Sequence, residues 1–280
     1  MKNRLFYVLM LFFCLTIIQP ISTATAQITL VGERIQNQQA LPGEQYTGSV
    51  MVHNETDSVV TIRIYQDEIT ALTSFDRGDK IITINRSNAD WITHASERMT
   101  IQSGEVAKVE YQIVVPLQMG IEPPEGTYWS ALSVDVVGLG TSAFSKPYSR
   151  HHLSEIATHI KDSGTPALAI NSMKMKGERH DRKLEAVMIN TGNALVKPDV
   201  WFELYDTAGN LKERVSGTAG WVFPGDFDRV VADVSHLKGG VYEAQVVIDA
   251  GGDHIFGASY TINMTGIGSV ADAKAPNLAY

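Results

Sequence analysis

Val109, Tyr111, Ile113 and Val115 alternate with Lys108, Glu110 and Gln112 along the run VAKVEYQIVV. The same two-residue beat recurs in VVTIRIY, where Val60, Ile62 and Ile64 alternate with Thr61 and Arg63. It returns in VWFELYD (200–206) and YEAQVVI (242–248). Successive side chains of a strand point to opposite faces, so each run predicts a strand with one buried and one wet face. Turn residues interrupt the runs at short intervals, as in an antiparallel sandwich. DTAGN (206–210) and DAGGDH (249–254) each separate two such runs and predict hairpin loops, because Gly and Asn supply the positive φ of tight turns.

The pattern occurs twice. Asn54, Ser103-Gly104-Glu105 and Gly126-Thr127-Tyr128 punctuate the first half. Asn190, Pro224-Gly225-Asp226 and Gly240-Val241-Tyr242 punctuate the second in the same order. The first copy is longer, which predicts an insertion within Asp67 to Asp90. Tyr128 and Tyr242 each follow a Gly by two residues at the start of a long strand, as at a tyrosine corner, where the phenol bonds nearby backbone. HHLSEIATHI (151–160) carries Leu153, Ile156, Ala157 and Ile160 at helical spacing, yet a sandwich needs a closing strand here, and strand is the reading adopted.

The 280 residues are 44% apolar, enough for real cores, which excludes global disorder. Residues 1–26 read as a cleaved signal peptide: Lys2 and Arg4, the apolar stretch Leu5 to Ile18, then Ala24-Thr25-Ala26 before Gln27. The sole cysteine, Cys14, falls inside that stretch, so the mature chain has no disulfide or thiolate site. Losing Lys2 and Arg4 takes the formal charge from −8 to −10, which argues against nucleic acid as a partner. After cleavage no apolar stretch is long enough to span a membrane. The expected organisation is all-β: an immunoglobulin-like sandwich at 27–160, a second at 167–265, and a flexible tail at 266–280. KDSGTP (161–166) is the linker.

The segments PGEQYTGSVMVHNETDSVVTIRIYQDEI, SNADWITHASERMTIQSGEVAKVEYQIVVP and PPEGTYWSALSVDV resemble exported immunoglobulin-like proteins related to PapD-like pilus chaperones. They also resemble the peptidoglycan-binding domain of WxL-type surface proteins. The likeness covers about 42–160, and the second half resembles generic bacterial immunoglobulin-like modules. It implies a periplasmic or extracellular, non-enzymatic protein that binds another protein or wall polymer. Pilus chaperones hold a subunit carboxylate with two basic residues. Arg34 and Lys146 or Arg150 lie near those places, but the local motifs differ, so that site is not carried over.

Residue chemistry adds little towards catalysis. His151, His152 and His159 lack the spacing that places two imidazoles on one metal, and no Gly-x-Ser-x-Gly elbow occurs. Asp249 and Asp253 could offer oxygens to calcium, but a hairpin explains the same residues. Arg77-Gly78-Asp79 reads as a hairpin tip. Trp91, Trp129, Trp201 and Trp221 are candidates for a stacking platform. Trp129 alternates with Tyr128, so one of the two is expected outward. No catalytic residue, metal or cofactor is assigned. The candidate binding residues are Trp129, Trp201 and Ile156. The expected route is strand addition to an edge near Ile28 to Ile35 or near Ser154 to Ile160, with another envelope or surface protein as partner. The alternative is a peptidoglycan or carbohydrate ligand stacked on outward aromatics.

Overall fold

A computed structural model describes residues 28–67, 86–139, 152–177, 180–264 and 278–279. The expected signal peptide with Cys14, most of the expected insertion with Arg77-Gly78-Asp79, Lys146, Arg150 and His151 lie outside the described residues.

Two β-sandwiches follow one another along the chain. The first uses β1 (Ile28–Val31), β2 (Ile35–Ala40), β3 (Gln45–Asn54), β4 (Val60–Asp67), β5 (Ile92–His94), β6 (Arg98–Ile101), β7 (Val106–Val114), β8 (Thr127–Leu139) and β9 (His152–Ile160). Its sheets run β1-β3-β7-β5 and β2-β9-β8-β4-β6. Every pairing is antiparallel except β2 with β9. The second uses β10 (Leu168–Lys176), β11 (Lys183–Asn190), β12 (Asp199–Tyr205), β13 (Leu211–Gly217), β14 (Phe227–Asp233), β15 (Val241–Asp249), β16 (Ile255–Asn263) and β17 (Leu278–Ala279). Its sheets run β10-β11-β14 and β13-β12-β15-β16-β17.

The alternation places the cores as expected. On β7, Ala107, Val109, Tyr111 and Ile113 are buried, whereas Lys108 and Glu110 are exposed. They meet Ile62, Ile64, Leu132, Val134 and Ile156 from the opposite sheet. In the second sandwich, Phe202, Leu204, Val246 and Ile248 pack on Leu184, Met188, Val230 and Ala232. Gly48 is required where it stands, since a Cβ there would lie 2.2 Å from the Tyr111 ring that folds across it. That ring delivers its hydroxyl to Gln36 Oε1 (2.7 Å), tying the two sheets together.

The internal repeat is realised in matching hydrogen bonds, with one extra in the first copy. Asn54 is fully buried and its amide donates to the carbonyls of Ser58, Ile101 and Gln102, while its Oδ1 accepts the Thr56 N–H. Asn190 is equally buried; it donates to Ala194 and Val222 and accepts the Gly192 N–H. In each copy a glycine of positive φ donates back to the asparagine carbonyl: Gly104 to Asn54 (2.9 Å) and Gly225 to Asn190 (2.7 Å). A buried amide surrounded by backbone acceptors fixes three loop segments at once.

The two expected hairpins are present. Asp206 Oδ1 accepts the N–H groups of Ala208 and Asn210 in the β12–β13 loop. Asp249 Oδ1 accepts the Gly251 N–H in the β15–β16 loop. The Tyr242 hydroxyl donates to Lys238 O (3.0 Å), the backbone bond of a tyrosine corner. Tyr128 differs: its ring packs 4.6 Å from Trp91 and lies under the Arg86 guanidinium.

Residues 152–160 form a strand. The helical spacing arose because both faces of β9 are covered. Ile156 and Ile160 enter the first core, and Ala157 meets a residue of the second sandwich.

Candidate binding edges and the interdomain junction

The second sandwich covers the outward face of β8 and β9. Trp129 is 2% exposed and stacks on Phe223, ring centroids 4.9 Å apart, with Ala157, Ile35 and Leu195 around them. The expectation that Tyr128 or Trp129 faces solvent is therefore corrected: both are buried, one towards each sandwich. Phe223 is positioned by the Asn190-locked loop, since Val222 O accepts from Asn190 and Asp226 N–H donates to Phe223 O (2.9 Å). Hydrogen bonds tie the same junction, one from the first sandwich and one from the linker. Thr127 N–H donates to Asn193 O (2.8 Å), and Thr165 N–H donates to Asn193 Oδ1 (2.6 Å). Gly126, at φ +71, leaves no room for a Cβ, which would sit 2.2 Å from Asn193 O.

Thr127 Oγ1 accepts the Leu195 N–H (2.8 Å) and lies 2.9 Å from His159 Nδ1. Burial holds the His159 imidazole below its ordinary value, and the nearby Arg86 guanidinium pushes the same way. Burial thus favours the neutral ring beside the Thr127 hydroxyl. A depressed folded value makes this contribution complete above 6.5, the ordinary value, and lost as pH falls through the folded value. Burial raises Glu155 and Asp226 instead, so they act with opposite sign at more acidic pH. The junction is thus expected to weaken as pH drops below 6.5. Thermal melts across that range should show a slope that His159→Gln removes; an identical slope in the variant would assign it elsewhere.

Of the two expected edges, the first is redrawn and the second is corrected. The first strand breaks at Gly32 (φ 113) into β1 and β2, which are outer strands of opposite sheets. The segment Ser154 to Ile160 is not an edge. β2 docks parallel to β9 on one side and β8 pairs on the other, so β9 is interior. Ile156 is 1% exposed in the core, and a proline there would break a central ladder rather than report on binding.

Ladder parity identifies which backbone groups face outward. Glu155 N–H donates to Arg34 O (2.8 Å) and Lys161 N–H to Ala40 O (2.9 Å), so even residues of β2 bond to β9. Ile35, Asn37 and Gln39 direct their N–H and C=O away from it, and no described strand pairs with that side. On the other sheet, Asn54 N–H donates to Glu105 O and Val115 N–H to Glu44 O, so odd residues of β7 bond to β3. Because β5 stops at His94 opposite Tyr111, no described strand covers Val106, Lys108 and Glu110. That second edge carries the charged pair Lys108–Glu110 (2.7 Å), both exposed.

Trp201 and Tyr205 share the outward face of β12, as expected, but their polar and aromatic surfaces are engaged. The Arg214 guanidinium lies 4.9 Å from the Trp201 ring centroid. Glu203 accepts Trp201 Nε1–H (3.1 Å) and the Tyr205 hydroxyl (2.6 Å). Trp91 is a core residue, and Trp221 is 37% exposed beside Lys197. Arg34 pairs with Glu155 (3.4 Å). Among the described residues no group of three or more His, Cys, Asp or Glu is placed to hold a metal ion.

No protein-family model matches the chain. No curated protein matches it either. Solved structures do. The chain is similar to fimbrial chaperones. The YadV chaperone matches at 14% identity over 90% of this chain and 99% of its own, with a TM-score of 0.42. The class 5 fimbriae chaperone CfaA matches at 11% over 84% and 98%, TM-score 0.42. A chaperone–tip subunit pre-assembly complex, CsuC–CsuE of Acinetobacter baumannii, matches at 15% over 84% and 98%, TM-score 0.39. The two-sandwich fold itself rests on the ladders and cores described above.

Proposed function

We propose that this chain is a non-enzymatic, exported binding protein that recognises another envelope or surface protein by strand addition at β2. The observation that carries this is the chemistry of its edge. Ile35, Asn37 and Gln39 present in one row backbone groups that no described strand pairs with, with only the Gln38 Nε2 reaching Gln39 O (3.5 Å), and the side chains along Gln36 to Gln39 are all neutral amides. Sheet edges that must stay single are guarded by charges, as Lys108 and Glu110 guard β7. β2 has no such guard between Arg34 and Ala40. Its exposed amides, Asn37, Gln38 and Gln39, can hydrogen-bond an incoming polar strand, whereas Gln36 is turned inward. The outward N–H and C=O groups supply affinity that is independent of the partner's sequence, while side chains at alternate positions supply selectivity.

The test is a photo-crosslinking residue at position 37 in producing cells, compared with Asn37→Pro. The Asn37 N–H points off the edge, so proline removes no β2–β9 bond and the fold is retained, as an unchanged melting curve will verify. One exported protein should crosslink from position 37 in the parent chain, and its co-purification should fall in the proline variant. The competing outcome is sedimentation with purified peptidoglycan that Trp201→Ala abolishes and Asn37→Pro ignores. That result would replace the protein partner with wall polymer.

A further inference from the structure

The C-terminal end of β2 runs into an apolar cluster that neither sandwich core uses. Leu41 is 51% exposed, Leu117 70%, Met119 44% and Ile121 88%. Their display is built rather than loose. Leu41-Pro42-Gly43-Glu44 closes as a turn, with Glu44 N–H donating to Leu41 O (3.0 Å) and Gly43 at φ +82. A Cβ on Gly43 would lie 2.7 Å from Leu117, so the turn and the β7–β8 loop touch. In that loop Met119 N–H donates to Glu122 O (2.7 Å) and Gly120 takes φ +74, which pushes Ile121 to the tip. Beside this ridge lies a cavity of about 520 Å³ between the loop and the end of β9, lined by Pro42, Pro123, Pro124 and Ile160. Its charged lining is two carboxylates, Glu122 and Glu125, against one cation, Lys161.

Resting on the strand-addition reading, we propose that the β2 edge continues into an anchor site, Leu41, Leu117, Met119 and Ile121 with the adjoining groove, for an extended partner segment bearing apolar residues and a lysine or arginine. Three features select that occupant. The outward ladder groups of β2, which no described strand covers, point an added strand along its axis, and its end is Ala40, next to Leu41. Exposed leucine and isoleucine gain most by covering apolar side chains. The carboxylate excess in the groove attracts a cation and disfavours an anionic lipid surface, where Glu122 and Glu125 would have to be desolvated.

The experiment is selection of a phage-displayed random library, peptides of about twelve residues that span about 40 Å when extended, on the purified protein. Enriched peptides should alternate apolar residues and carry a basic residue. Synthetic copies should bind about tenfold or more weakly to Leu117→Ser/Ile121→Ser, a surface change that leaves the melting curve unchanged. They should also weaken on Asn37→Pro. Peptides sensitive to Asn37→Pro but indifferent to Leu117→Ser/Ile121→Ser would overturn the anchor site and leave strand addition standing. Peptides indifferent to both would overturn both. Flotation with phosphatidylglycerol-containing vesicles, or a concentration-dependent dimer, abolished by Ile121→Ser would overturn the proposal in favour of a membrane or a second copy.

Discussion

Replacing Trp129 by alanine will uncouple the two sandwiches. The ring is 2% exposed and its stacked partner, Phe223, belongs to the other sandwich. Truncating a buried aromatic costs about 3–5 kcal/mol in lost transfer energy and residual cavity. Here the loss is concentrated at one junction rather than in either core. The expected signature is a single cooperative melt in the parent protein that becomes two transitions in Trp129→Ala, with the interdomain backbone made newly sensitive to protease around 161–166. Phe223→Ala should give the same pattern, and the double variant should cost less than the sum of the singles, because both remove one contact. A Trp129→Ala protein that melts as one unit with a small loss would show that the backbone bonds through Asn193 suffice to couple the sandwiches.

Asn190→Ala will destabilise the second sandwich more than any single surface change. The variant removes three hydrogen bonds to loop backbone, from the carbonyls of Ala194 and Val222 and from the Gly192 N–H; Val222 O keeps the Val196 N–H and Gly192 N–H keeps Ala167 O, so the buried Ala194 carbonyl loses most. One unsatisfied buried carbonyl costs on the order of 1–3 kcal/mol and the two further lost bonds add about 1 kcal/mol together, so a total of about 2–4 kcal/mol is expected. Denaturant unfolding measures it. Because the same loop carries Phe223, the variant should also loosen the junction, whereas Asn54→Ala in the first sandwich should cost a similar amount and leave the junction intact. An Asn190→Ala protein of near-parental stability would mean that the loop holds its shape through Gly225 and Pro224 alone.

Period-two alternation determined the fold class from the sequence alone, because side-chain direction in a strand needs no tertiary information. The asparagine repeat was legible for a related reason. A buried amide and a positive-φ glycine are local necessities of the loop, and they recur at Asn54/Gly104 and Asn190/Gly225 wherever that loop recurs. The Asp206 and Asp249 hairpins and the Tyr242 corner follow from chemistry within a few residues of each other. Alternation says which side chains leave the local core; it cannot say what covers them next. Trp129 alternates out of the first core and is buried all the same, under a loop that the chain supplies much later. Ile156 lies on what sequence order suggests is the last strand and hence an edge. It is interior because β2, from the other end of the sandwich, docks beside it. The outward-facing groups on β2 and the cluster at Leu41, Leu117, Met119 and Ile121 likewise depend on ladder parity and on two loops meeting. Both are consequences of long-range register, which only the tertiary structure decides.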